Sequence, residues 1–293
     1  MVETSKKTDG RSVKARSLAY RKIKNSLVSI LAGLSALLGL FILGWILFTV
    51  VERGFSAFNW AFFTELPNPP GMEGGGLANA MLGTIILTLL ATLIGVPLGL
   101  LAGIYLSEFG KNSKFSEWVR FFANILMGTP SIIIGIFIYT ILVVPFGHFS
   151  AYSGAVALAV MMFPVVARTT DDMLQMVPAA MRESALALGA PRWRTILEIV
   201  FRSAKNGLIT GVLLAVARVS GETAPLLFTA LNSPFWFSGL NEPTANLTVT
   251  IFNYAMSPYE DWQRMAWGAS LLISAGVLAV TLTTRFLLKE KRI

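Results

Sequence analysis

The stretches without a charged residue decide what this chain can become. Leu27 to Val51 runs for 25 residues without one. Further apolar runs go from about Asn79 to Leu106, Phe121 to Val144, Ser150 to Ala167, Gly207 to Leu231 and Met265 to Leu288. About 20 apolar residues carry an α-helix across the hydrocarbon core of a bilayer. The reading is therefore an all-α integral membrane protein with six transmembrane helices. Composition agrees: charged residues make up 14% of the chain and mean hydropathy is +0.65, whereas a soluble domain carries roughly 25% charged residues.

The basic residues assign sides. The tail before Leu27, the second-to-third connection, the fourth-to-fifth connection and the C-terminal end together hold 21 of the 24 Lys and Arg residues. The opposite side holds Arg53 and Arg264, and Arg218 lies inside a span. Cytoplasmic loops of membrane proteins are rich in Lys and Arg, so both termini are expected in the cytoplasm of a bacterial cell, with the chain in its plasma (inner) membrane. The same rule accounts for the net charge of +8 without nucleic acid. Residues 1–26 then form a basic tail, in contact with anionic lipid headgroups or simply solvated. Residues 27–288 form the membrane domain and 289–293 a short tail. The tail precedes a full-length span and lacks a small-residue cleavage site, which reads as an uncleaved anchor. Trp60, Trp236, Trp262 and Trp267 flank the outer connections, as an interfacial aromatic belt would.

Catalytic chemistry finds little material. Cysteine is absent and His148 is the one histidine, which excludes thiolate chemistry, disulfides and any site needing two imidazoles. The only Gly-Lys dipeptide, Gly110-Lys111, is followed by Asn112 and has Tyr105 where a phosphate-cradling loop needs glycine. No cofactor or metal is expected on this chain, and it is not expected to be an enzyme by itself.

The fourth-to-fifth connection, residues 168–206, reads as helical. Arg182 to Leu188 is a strong helix former that stops at Gly189, with Pro191 just beyond. Trp193, Ile196, Leu197, Val200 and Phe201 recur at helical spacing, predicting a second short helix. Such a knob is either a docking element or a surface hairpin packed on its own helices.

In the fifth span, Arg218 and Glu222 stand four positions apart, which places them on one helix face. A charge at a helix centre costs about 2.5–3.5 kcal/mol on insertion scales, so such residues face a partner or a wet cavity. The pair either neutralises itself or serves an anion. Gly221 and Pro225 beside it weaken the helix. Glycines 95, 99 and 103, and Gly207, Gly211 and Ala215, form small-residue faces for close helix packing or for sliding. Gly128-Thr129-Pro130-Ser131 predicts a kink or a hinge in the third span.

These segments resemble a known family. Glu183-Ser184-Ala185, Gly189 and Ile199 follow the E-A-A-x3-G-x9-I pattern of ABC importer permeases, with Ser184 for the second alanine, Phe201 for leucine and Arg202 for proline. Glu73 to Ala80, Thr129-Pro130-Ser131, Arg168-Thr169-Thr170, Arg218 to Pro225 and Asn246 to Phe252 resemble the permeases of phosphate ABC transporters, and among them the PstA-type rather than the PstC-type subunit. The resemblance implies an ABC importer permease fold in which 168–206 is a cytoplasmic coupling-helix loop. It implies a second permease subunit of PstC type, an extracytoplasmic phosphate-binding protein, and a cytoplasmic ATPase dimer that binds ATP and Mg. Glu183, Ala185, Gly189 and Arg192 would couple to the ATPase. Arg218, Glu222 and Thr223 would line the substrate path. There the guanidinium fork suits phosphate oxygens, and Glu222 would accept a proton of hydrogen phosphate while repelling sulfate. A permease for sulfate or molybdate, or an ion-coupled carrier, is the alternative reading.

Overall fold

The computed structural model describes residues 18–110 and 113–287. The expected lipid contacts of residues 1–17, Lys111 with Asn112, and the C-terminal tail 289–293 lie outside the described residues. The chain divides into Met1–Thr49 and Val50–Ile293. The described residues of the first unit are a stretch of α1 (Leu18–Phe55), with side chains exposed from Tyr20 to Phe48.

The second unit begins with the last turns of α1, where Arg53 lies 5.2 Å from the Trp267 ring centre. It continues through α2 (Trp60–Thr64) and α3 (Ala78–Phe109), the latter closing in a π-helical turn at Tyr105–Phe109. Then come α4 (Lys114–Gly128), α5 (Ser131–Phe146), α6 (Ala151–Gln175) and α7 (Ala179–Ala187). The chain ends in α8 (Arg192–Ser220), α9 (Ala224–Leu227), α10 (Leu247–Ala255) and α11 (Glu260–Leu287). Five of these helices are long and apolar enough to cross a bilayer, and the α4–α5 pair adds a sixth if its halves form one span.

Helix α6 is the centre of the unit. Glycines 95, 99 and 103 of α3 lie against it, and a Cβ built on Gly99 would stand 2.7 Å from Val166 Cβ. Gly207 and Gly211 bring α8 equally close, against Met173 and Thr169. The small-residue faces are thus packing seams. In lipid, where apolar side chains gain nothing by leaving one apolar medium for another, such close approach is what joins helices. Leu87, Leu158, Met162, Val166, Val219 and Val249 fill the core around these seams.

Two sequence expectations change and a third gains its geometry. The break expected at residues 128–131 is a bend of 104° between α4 and α5. Pro130 has no N–H to continue the helix, and the residue before a proline avoids the α region; Thr129 is extended, at φ −73° and ψ 132°. Its hydroxyl donates to the Ile125 carbonyl at 2.8 Å. The second short helix of the 168–206 connection is instead the beginning of α8, a continuous helix of 29 residues, about 43 Å at 1.5 Å per residue. The fifth span also stops earlier than hydropathy implies. Its helix ends at Ser220, and α9 and α10 follow as short pieces.

Overpacking a seam should cost about 1–3 kcal/mol. Gly99→Leu is therefore expected to lower the unfolding midpoint of the detergent-solubilised protein. Gly128→Ala, where a Cβ meets nothing within 4 Å, should leave it unchanged; thermal unfolding of the two variants side by side checks this.

Candidate functional site

Two regions hold the residues singled out in the sequence. The first is the break after α8. Gly221 closes the helix, its N–H donating to the Arg218 carbonyl at 3.2 Å. Glu222 therefore lies beyond the helix rather than on it. Its backbone is fixed from both sides: its N–H donates to the Val219 carbonyl at 3.1 Å, and its carbonyl accepts from the Thr248 hydroxyl at 2.8 Å. Thr223 is half-buried, and its carbonyl accepts from Leu226 and Leu227 as α9 begins.

Arg218 and Glu222 remain neighbours, but loosely. Nε of Arg218 stands 4.0 Å from Oε1 of Glu222, and the side chains are 54% and 19% exposed. Hydrogen bonds to oxygen fall near 2.7–3.2 Å, so the carboxylate does not occupy the guanidinium donors. Arg218 lies 13 residues after Lys205, a rise of about 20 Å into a hydrocarbon core of about 30 Å. It shares its helix face with Gly207, Gly211 and Leu214, at steps of four, three and four. That face borders an open hollow of about 430 Å³ lined by Thr169, Met173, Asn206, Gly207, Thr210, Gly211 and Leu214. A half-exposed cation thus stands on the same helix as an open hollow lined by hydroxyls and an amide.

The cap of α10 completes this region, and the sequence reading passed over it. Asn246 Oδ1 accepts from Val249 N–H at 2.9 Å, and the N–H of Leu247 donates to Thr84 Oγ1 on α3 at 2.9 Å. Asn246, Thr248 and Thr250 are all buried. An Asn just before an apolar run is a helix-start signal, and it could have located α10.

The second region is the α7 knob. Glu183 is exposed, Ala185 buried and Arg192 exposed at the start of α8. Gly189 has φ +81°, and the turn is a Schellman motif: Ala190 N–H donates to the Ala185 carbonyl at 3.1 Å and Gly189 N–H to the Leu186 carbonyl at 2.9 Å. Leu188 is 88% exposed and Trp193 also faces outward, giving the knob an apolar tip with Glu183 and Arg192 as its charges. Arg182 points the other way, onto Glu108 of α3 at 2.7 Å. The two regions are not brought together: the knob belongs to one end of α8 and Arg218 to the other. Among the described residues there is no group of three or more His, Cys, Asp or Glu placed to hold a metal ion.

Comparison with known proteins adds three findings. Residues 95–290 match the family described as "Binding-protein-dependent transport system inner membrane component". The chain is 48% identical over 274 residues to the phosphate transport system permease protein PstA of Yersinia pestis, covering 94% of this chain and 93% of that one. It is 48% identical over 273 residues to the PstA of Haemophilus influenzae, covering 93% and 96%. It is 37% identical over 272 residues to a probable PstA of Methanocaldococcus jannaschii, covering 92% and 95%. In fold it is similar to a chain of the inward-facing MetNI methionine ABC transporter, with a TM-score of 0.58 and 18% identity over 73% of this chain and 93% of that one. By sequence, the chain belongs to the binding-protein-dependent transport system inner membrane components, and within them to the PstA-type phosphate transport permeases.

Proposed function

We propose that this chain is the membrane-spanning permease of an ATP-driven phosphate importer and that Arg218 stands on the phosphate path. The observation that carries the second part is the loose pair: a permanently charged guanidinium, deep in the chain's fifth span, whose donors Glu222 leaves open. A planar fork of N–H donors matches two phosphate oxygens, which an ammonium cannot do. Glu222 keeps Arg218 aligned and accepts a hydrogen bond from the P–OH of hydrogen phosphate, while Thr223 offers a hydroxyl beside them. From Arg218 the anion would pass Leu214, Thr210 and Asn206 along the polar face of α8.

Both termini lie in the cytoplasm, by the distribution of Lys and Arg. The α7 knob then faces a separate ATPase dimer, which binds ATP and Mg, and docks through Glu183, Arg192 and the turn at Gly189. A PstC-type sister subunit completes a heterodimer, and an extracytoplasmic phosphate-binding protein delivers substrate from the other side. ATP-driven opening to one side and then the other moves the anion inward. The relatives' names support the substrate, and the exposed apolar tip of the knob supports the docking.

If Arg218 touches phosphate, Arg218→Lys lowers uptake of labelled phosphate into vesicles holding the whole complex by about tenfold or more, one lost charge-assisted bond being worth roughly 1.5–3 kcal/mol. The double change Arg218→Gln with Glu222→Gln stays inactive. An active double variant would show that the two residues only neutralise each other.

The knob gives a separate test. No atom lies within 4 Å of a Cβ built on Gly189, so only the backbone limits substitution there. Gly189→Asn, which tolerates positive φ, should keep the ATPase bound. Gly189→Val, a β-branched residue at positive φ, should release it, as read by copurification of the ATPase. Equal retention by both variants would argue against docking through this turn.

A further inference from the structure

The knob is tied to the second span by one ion pair that the family resemblance did not mark. Arg182 of α7 turns inward and spans both oxygens of Glu108, with Nη2 at 2.7 Å from Oε1 and Nε at 3.1 Å from Oε2. It also donates to the Leu174 carbonyl in the last turn of α6, at 2.7 Å, and to the Val177 carbonyl just beyond that helix, at 2.6 Å. The pair is largely but not fully buried, with side chains 13% and 7% exposed. Glu108 sits in the π-helical turn that ends α3.

That turn is gripped a second time. Arg120 of α4 donates to the Leu106 carbonyl at 2.8 Å and to both oxygens of the fully buried Asp171 on α6, at 2.7 and 3.2 Å. Gln175 donates to the same carboxylate. Two arginines from two helices thus hold the end of α3 against α6. Arg120 joins it to the bent third span, and Arg182 joins it to the knob.

Helix α3 leads from there to the candidate anion site. Its far end meets α10 where Thr84 accepts the Leu247 N–H, and Thr248 on α10 donates to the Glu222 carbonyl. A continuous line of contacts therefore runs from Arg182 through Glu108, α3, Thr84 and Thr248 to the residue beside Arg218. Exposed Glu183 and half-buried Arg182 are adjacent on α7, one facing outward and the other into this line.

We infer that Arg182 and Glu108 are the positioning pair through which movement of the knob becomes movement of α3, and so of the Arg218–Glu222 site. The inference rests on the knob being the ATPase dock. Burial makes the pair costly to keep: isolated ions are penalised away from water, and packed apolar residues of similar size often serve stability as well or better. A pair kept for stability alone is therefore replaceable by such residues. A pair kept for transmission is not, because an apolar contact slides where a two-pronged ion pair holds register.

The test uses the complete complex in vesicles, supplied with binding protein and phosphate. Glu108→Leu with Arg182→Met keeps the volume and removes the grip. The ATPase should stay bound and hydrolyse ATP, while phosphate taken up per ATP falls about tenfold, within the usual range of coupling between sites. Since the chain has no cysteine, Glu108→Cys with Arg182→Cys gives a second arm in an otherwise cysteine-free complex. Coupling should be low with free thiols and recover when a short bifunctional thiol reagent rejoins α7 to α3. Unchanged uptake per ATP in either uncross-linked variant, or no recovery on cross-linking, overturns the inference. Failure of the dock itself would look different: the ATPase would remain bound whatever is done to the turn at Gly189.

Discussion

Hydrocarbon offers no hydrogen bonds to a broken helix, so each interruption of this backbone has to be served by the protein itself. The structure can be read as the set of answers to that constraint. At the third-span bend, the hydroxyl of Thr129 returns to the Ile125 carbonyl. After α8, the Glu222 carbonyl takes the Thr248 hydroxyl. At the start of α10, Asn246 and Thr84 take backbone N–H groups. At the end of α3, Arg120 takes the Leu106 carbonyl. Polar side chains serve each of these breaks, and the closest seams between the unbroken helices are built from glycine.

The division of labour follows. The glycine seams hold α3 and α8 against α6 along most of their shared length and leave no room for a Cβ at the tightest points. A tightly packed trio transmits displacement instead of absorbing it, because close-packed interiors are hardly compressible. The breaks supply the points at which backbone direction changes. One of them leaves Arg218 about half exposed with its donors open, beside Glu222, whose backbone carbonyl is held by Thr248 of α10. The chain thereby has an open guanidinium at one end of α8 and a protruding knob at the other.

Much of this was legible in the sequence, for physical reasons that also set the limit. Run length revealed the spans because bilayer thickness fixes helix length. Gly189 was legible because a helix former that ends in Gly with Pro nearby has few other ways to stop, and its φ of +81° agrees. The end of α8 was not legible from hydropathy: apart from Glu222, the stretch from Gly221 to Leu231 is mostly apolar, so a sliding average does not record that the helix has stopped. The 104° bend was readable as a break but not as an angle. Its direction depends on α5 packing against Pro225 at Gly135, where a Cβ would come within 2.7 Å. Arg182 resembled any other arginine of a basic connection, because its partner Glu108 is 74 positions away.

The central claim is that the polar face of α8 leading from Arg218 is the path of the anion. Single cysteines can be placed on this cysteine-free chain at Thr210, on that face, and at Val212, which packs toward the core on another. The decisive measurement is the rate at which a water-soluble thiol reagent labels each in the assembled importer, with and without phosphate and its binding protein during ATP turnover. The account predicts fast labelling of the Thr210 position, slowed when phosphate is transported, and slow labelling at Val212 indifferent to phosphate. Labelling at Thr210 that ignores phosphate, while Val212 responds to it, would place the path elsewhere.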